Sequence, residues 1–258
     1  MFTPPTTWAE LEATAKAITE ITGKPSFGYD SVANMFITWT QQNGGEYTRL
    51  LDLNGNPVPL ADRIRFNNLQ AVEAVDFFID GVNGGYFRVA GDDRYLSGPF
   101  VAGDLMMYIG STSGSVFNQS DLFTYGAAQV PMGKQRKVIQ QGANFFMLDH
   151  GVEQNLASFI FLNWVMEAEQ TVEWSMRSGY LPVRESAREL PVYKAFLESN
   201  VNPTKVVGAS YNSSDYIFDA IFPESYSVRV AVEVAVTEVM AGQKSTLGAI
   251  NDAYAVFK

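Results

Sequence analysis

Three places in the chain carry residue types whose spacing offers chemistry. The first is Gly110-Ser111-Thr112-Ser113-Gly114-Ser115, set between an apolar run and the start of a helix. Free backbone N–H groups and small hydroxyls in such a bend can hold a phosphate, a carboxylate or a sugar hydroxyl. Glycines at 110 and 114 let a ligand approach the backbone. The segment is neither a Walker loop nor a GxGxxG fingerprint, and a Ser-capped helix accounts for it equally well. The second is Arg229, alone among apolar neighbours in 226–232. A guanidinium there either binds an anion bidentately or pairs with a carboxylate, and its position favours the pair. The third is Tyr180, between Gly179 and Pro182. Its ring can stack on a sugar face or pack on the core.

Composition removes whole classes of function. With 28 acidic against 18 basic residues and a net charge of −10, the chain lacks the basic face that a nucleic-acid binder needs. It contains no cysteine, which excludes disulfides, thiolate catalysis and Cys-bound metal centres. The single histidine, His150, sits at an Asp-His-Gly turn and reads as a surface or hinge residue. The acidic pairs Glu73 and Asp76, Asp92 and Asp93, and Glu167 and Glu169 lie in polar helix-face or loop contexts, so none is nominated as an acid and base. Asp52, Asn54 and Asn56 have the look of a calcium loop, but Pro57 and Arg63 stand where that loop needs Gly and Glu, so a turn is expected. No catalytic residue, metal or cofactor is expected. A hydrolase using an acidic pair is the less favoured alternative.

The elements that must position these residues follow from periodicity and punctuation. Thr7 and Glu10 have the spacing of a capping box, and Trp8, Leu11, Ala15, Ile18 and Ile21 follow at helical spacing up to Gly23. Strand-like residues 25–29 and a helix over 31–42 come next, then a hairpin of 48–53 and 57–60 around Asn54-Gly55. Helices are expected over 69–80 and 96–102, and a buried strand over 105–109. Strands are also expected within 122–130 and 138–148. The second half reads as helices over 153–168, 169–176, 188–199, 226–241 and 245–257, with a loop over 202–215. Trp8, Trp164 and Trp174 fall on helical stripes and are expected in the core, with Trp39 undecided. No stretch is long and apolar enough for a membrane helix, and the N-terminus has no secretory-signal pattern. Strands interleaved with helices argue for an α/β fold.

Five segments, in order, resemble the extracellular solute-binding proteins (family 1) of bacterial ABC importers. They are Pro4-Pro5-Thr6-Thr7-Trp8-Ala9-Glu10-Leu11; Phe100 to Met107 with Gly110-Ser111; Tyr125-Gly126 with Val130-Pro131; Trp174 with Ser178-Gly179-Tyr180-Leu181-Pro182-Val183-Arg184; and Ala241-Gly242-Gln243-Lys244-Ser245. The resemblance implies a type II periplasmic-binding-protein-like fold and a non-enzymatic role. A small solute such as a sugar or polyol phosphate would be held in an inter-lobe cleft and delivered to ABC permease subunits. The location implied for the full-length protein is periplasmic, or extracellular and membrane-associated. Family members carry a further stretch ahead of the Pro-x-Thr-Trp motif. The chain is therefore expected to correspond to a C-terminal lobe (1–141 and 193–258) with a helical part (142–192) of an incomplete N-terminal lobe.

The subgroup that binds glycerol-3-phosphate is the nearest resemblance. It implies that Ser113, Gly114, Ser115, Gly142, Tyr180 and Arg229 face the ligand. The loop positions Asp30 and Asn34 would line the cleft by their place in the family fold, without matching that subgroup's loop. A glycerophosphodiester or a carbohydrate is the neighbouring possibility. The apolar face of 156–165 is expected to be exposed or to be covered by another copy of the chain.

Overall fold

The structure is a computed structural model and describes residues 3–52, 54–59, 62–219 and 222–258. It divides into two compact units. The first comprises 1–110, 130–140 and 212–258; the second comprises 111–129 and 141–211. The segment 142–192 lies wholly within the second unit.

The first unit is a small parallel α/β layer. Helix α1 (Trp8–Thr22) opens it, with the Thr7 hydroxyl accepting the Glu10 N–H at 3.2 Å. The reciprocal arm of the expected capping box is absent. The Glu10 carboxylate instead takes the backbone N–H and hydroxyl of Thr6, each at 2.7 Å. Gly23, at φ 70°, ends the helix in the left-handed conformation that glycine adopts without strain.

Strand β1 (Phe27–Tyr29) is the middle of a three-stranded parallel sheet, flanked by β2 (Phe87–Val89) and β3 (Met107–Ile109). Its residues are all buried, as expected of a parallel strand covered on both faces. Helices α2 (Val32–Gln42), α3 (Leu69–Asn83), α10 (Ser225–Met240) and α11 (Thr246–Ala255) pack on this layer, and the short α4 (Ser97–Val101) precedes β3. Strands β4 (Val138–Gln140) and β5 (Tyr216–Phe218) form a separate parallel pair.

The core is built on aromatic rings. Trp39, fully buried, has Trp8, Phe27, Tyr29, Phe77 and Phe78 around it at ring separations of 5.1 to 6.5 Å. Such tilted and edge-on contacts add to the hydrophobic gain of burying large rings. Gly81 lets this core close, because a Cβ there would stand 2.1 Å from the Phe87 ring.

The second unit is helical. It holds α5 (Val152–Val165), α6 (Ala168–Arg177), α7 (Glu185–Arg188), α8 (Pro191–Glu198) and α9 (Pro203–Ala209), and a 3-10 turn over Thr112–Phe117. Its buried centre is small, formed by Val172, Ala187 and Tyr193 with Met176, Leu190 and Phe196 against them.

Several expectations are corrected. The region 122–130 contains no strand: it is largely exposed, so its alternating residues have no buried face to serve. Of 138–148, only Val138–Gln140 is a strand, and 141–150 runs exposed and irregular. The expected loop 202–215 holds α9, which Asn202 caps by accepting the Lys205 N–H and which Pro203 begins. The expected hairpin is reduced to isolated bridges, Thr48–Ile64 and Leu51–Pro57; its expected strand ends Leu53 and Leu60 lie outside the described residues. The Asp52 carboxylate accepts the N–H groups of Asn54 and Asn56 at 2.8 Å each, so the turn reading holds over a calcium loop. Trp164 and Trp174, placed in the core by their stripes, are both exposed. Among the described residues, no helix is long and apolar enough to cross a membrane.

Gly81→Ala is expected to destabilise the first unit by about 1–3 kcal/mol, because overpacking against Phe87 outweighs the better helix propensity. Gly98→Ala, where a Cβ meets nothing within 4 Å, is expected to be neutral or to stabilise by up to about 1 kcal/mol. Urea unfolding of the two variants checks the contrast.

Candidate functional site

The residues singled out from the sequence fall into two groups. Asp30, Asn34 and Arg229 belong to the first unit; Ser113, Gly114, Ser115, Gly142 and Tyr180 belong to the second.

In the first unit, the chemistry collects where parallel strands end. Asp30 follows β1, Gly110 follows β3 and Asp219 follows β5. The carboxyl ends of strands are where open α/β sheets hold ligands, because the chain turns there into helix N-termini with free N–H groups. Ser31 caps α2 by accepting the Asn34 N–H at 3.2 Å, which sets Asn34 in the first helical turn.

The Arg229 guanidinium binds two partners. One nitrogen donates to Asp219 Oδ2 at 2.7 Å and the other to Asn34 Oδ1 at 2.6 Å. The ion pair is largely buried, with side-chain exposures of 21% and 14%. A cation near the N-terminus of α10 opposes the helix dipole, and the Asp219 carboxylate offsets that cost. Asp219 was missed from the sequence, because the three-residue strand it follows shows no period there. Beside the pair, the Tyr47 hydroxyl and Asp219 Oδ1 are buried and have no hydrogen-bond partner among the described residues. Burial pushes the Tyr47 phenol well above its ordinary range, and the Asp219 charge adds to this.

Asp30 is half-buried and ties the sheet to the next loop. Its Oδ1 accepts the Leu96 N–H at 2.6 Å. Burial raises its carboxyl above the usual range, and the Leu96 hydrogen bond pulls it back.

In the second unit, Ser111 caps the 3-10 turn and the Ser111 and Ser113 hydroxyls lie 2.8 Å apart. Ser115 is buried and its hydroxyl accepts the Asn202 amide at 3.0 Å. Gly114 faces open space, and Gly142 lies on the exposed stretch after β4. Tyr180 is part-exposed, and its backbone carbonyl accepts the Ser175 hydroxyl at 2.7 Å. The residue that holds the turn in place is Gly179. A Cβ there would stand 2.3 Å from Ser113 Cα and from the Thr112 carbonyl. Lys205 is also in this unit, 1% exposed, with its ammonium 5.4 Å from the Phe196 ring centre and no hydrogen-bond partner among the described residues. Burial lowers its pKa from 10.5 to about 8.

His150 is exposed, and three members of the acidic pairs have partners of their own. Asp76 accepts the Thr246 hydroxyl, Asp93 pairs with Arg88, and Glu73 accepts from Asn43 at 2.7 Å. Among the described residues, no cluster of metal-ligating side chains forms. A groove of about 330 Å³ lies along α10 beside Val230, Val234 and Glu238, and it includes none of the residues above.

The first unit is a parallel α/β layer with polar residues at its carboxyl edge, and the second unit is helical. The profile of the bacterial extracellular solute-binding proteins matches residues 1–198, and the chain belongs to that family. It is 24% identical over 200 residues to the sn-glycerol-3-phosphate-binding periplasmic protein UgpB of Escherichia coli K12. That match takes in 74% of this chain and 45% of UgpB, so the chain spans about half the length of the curated relatives it matches. Among solved structures, the cyclic α-maltosyl-1,6-maltose binding protein of Arthrobacter globiformis superposes with a TM-score of 0.75 at 25% identity, over 99% of this chain and 64% of that one. UgpB of Mycobacterium tuberculosis in complex with glycerophosphocholine gives 0.75 at 17% identity, over 98% and 63%. The fold is thus the type II periplasmic-binding-protein fold expected from the sequence.

Two outcomes test the electrostatics. Asp219→Asn is expected to cost about 1–3 kcal/mol, since it leaves Arg229 part-buried without its counter-charge, and the added Arg229→Met change recovers part of that loss. A double-mutant cycle by denaturant unfolding measures this. For Lys205, the unfolded chain holds more protons between pH 8 and 10.5, so stability rises with pH across that window and the full penalty applies below it. Lys205→Met is expected to stabilise the second unit at pH 7 by about 1–3 kcal/mol and to flatten that pH dependence, as read by melts at neutral and alkaline pH.

Proposed function

We propose that this chain supplies solute-binding surface to the substrate-binding component of an ABC importer, and that the solute is a neutral, polyhydroxylated molecule of the sugar class. The observation that carries the choice of solute is the Arg229–Asp219 pair. A phosphate approaching Arg229 meets a carboxylate 2.7 Å from the same guanidinium, so its charge finds little net attraction there. A hydroxyl group suffers no such repulsion, because it donates to the carboxylate and accepts from the guanidinium or from the Asn34 amide. Taken by itself, the second unit offers the half-exposed Tyr180 ring, of the kind that stacks on a sugar face.

Sequence similarity to the glycerol-3-phosphate-binding relative supports the phosphate reading, and Arg229 is the residue that would serve it. Membership of the family supports delivery to permease subunits and a periplasmic or extracellular location, which belong to the same proposal. So does the absence of catalysis.

Calorimetry with a panel of neutral mono- and oligosaccharides, glycerol-3-phosphate and glycerophosphocholine tests the choice. At least one saccharide is expected to bind about tenfold or more tightly than either phosphate compound, with little dependence on salt. Asn34→Ala and Arg229→Met are expected to weaken that saccharide. Tighter binding of glycerol-3-phosphate, falling steeply as salt is added, would overturn the neutral-solute reading.

A further inference from the structure

Three Asn-Gly steps occur in the chain, at 43–44, 54–55 and 83–84. Each carries the same latent chemistry: the glycine nitrogen, unhindered by a side chain, can attack the asparagine side-chain carbonyl and close a succinimide ring. Ring closure needs both groups free to move, and the fold treats the three steps differently. Asn43 is 6% exposed, and its amide donates to the Gln70 carbonyl at 3.1 Å and to Glu73 Oε2 at 2.7 Å. Asn83 is the last residue of α3, and the Gly84 N–H is tied to the Asp80 carbonyl at 2.8 Å in the helical pattern. A Cβ on Gly84 would run into the Tyr86 ring, so that step is also packed. Asn54 is exposed and lies in neither helix nor strand. Its side-chain amide has no hydrogen-bond partner among the described residues. A Cβ on Gly55 would meet nothing within 4 Å. Among the described residues only Asp52 engages the Gly55 N–H, through its carbonyl at 3.1 Å and through its carboxylate. Those contacts open without disturbing a helix.

We propose that Asn54 is a site of spontaneous covalent modification, deamidation to aspartate and isoaspartate with water as co-reactant, and that the fold spares the other two steps. The Gly55 nitrogen gives its proton to solvent base and bonds to Asn54 Cγ. The Cγ–Nδ2 bond breaks, and Nδ2 leaves as ammonia with a proton from water. Water then adds to one of the two ring carbonyls. Opening at Cγ restores the backbone and leaves an aspartate. Opening at the Asn54 backbone carbonyl leaves the chain running through Cγ as isoaspartate. The net change turns an amide and water into a carboxylate and ammonium. Asn56 cannot follow this route, because Pro57 has no N–H to lose. The product sets a second carboxylate beside Asp52, which already accepts the Asn54 and Asn56 N–H groups at 2.8 Å each. The isoaspartyl form also lengthens the backbone inside the Leu51–Pro57 bridge, which must readjust.

The test is incubation of the whole chain at mildly alkaline pH, folded and in guanidinium chloride, until the unfolded sample has reacted. Digestion and mass spectrometry then locate each exchange of amide for acid. In the folded chain the peptide bearing Asn54 is expected to convert about tenfold or more faster than those bearing Asn43 and Asn83. In guanidinium the three rates are expected to converge, because the reacting pair is the same. Asn54→Gln, which enlarges the ring to be closed, is expected to abolish the fast conversion with the far-UV circular dichroism unchanged. Equal rates at the three steps of the folded chain overturn the proposal. So does faster conversion at Asn43 or Asn83, an unreacted Asn54 in the folded chain, or fast conversion of that peptide that survives Asn54→Gln.

Discussion

The guanidinium of Arg229 joins three separate elements: its own helix α10, the residue that follows β5, and the first turn of α2. Because the group is planar and donates in fixed directions, satisfying Asp219 with one nitrogen and Asn34 with another sets where all three chain segments stand. The same contacts balance its charge. The carboxyl edge of the first unit therefore carries a matched positive and negative group close together, with a buried phenol beside them. Whatever meets this edge meets a dipole rather than a net charge. That physical constraint shapes the whole functional reading.

The two units solve the burial problem differently. The first encloses Trp39 in a shell of rings, so that Trp39, Phe27, Tyr29 and Phe78 are out of water. The second encloses few side chains. It buries a lysine ammonium with only an aromatic face for company. A buried cation without a carboxylate is costly, and it falls in the unit where the hydrophobic gain available to offset it is smaller.

Relatives with the same fold bind chemically different solutes, and identity near 24% to a glycerol-3-phosphate binder sits beside 25% to a cyclic α-maltosyl-1,6-maltose binder. Fold alone therefore leaves the ligand open, and the choice belongs to individual side chains. A single carboxylate within hydrogen-bonding distance of a conspicuous arginine changes what that arginine is able to recognise.

Much was legible in the residues themselves. Local codes determined α1, α2, α3, α10 and α11, because caps such as Thr7, Ser31 and Asn68 and breakers such as Gly23 act on their own turns. The family motifs were equally visible, whereas α9, behind its Asn202-Pro203 start, was expected as loop because its polar and glycine residues outweighed that cap. Strands β2 and β5 were not legible, since three residues are too few to show a period and only pairing with a neighbour defines them. Trp164 and Trp174 lie on stripes that look like core, but a stripe says which residues share a face and not whether anything covers it. The sequence could narrow Arg229 to an ion pair or an anion site. Only the tertiary structure could decide, because the carboxylate that answers it lies 10 residues away and the amide 195 residues away, brought together by packing and not by spacing.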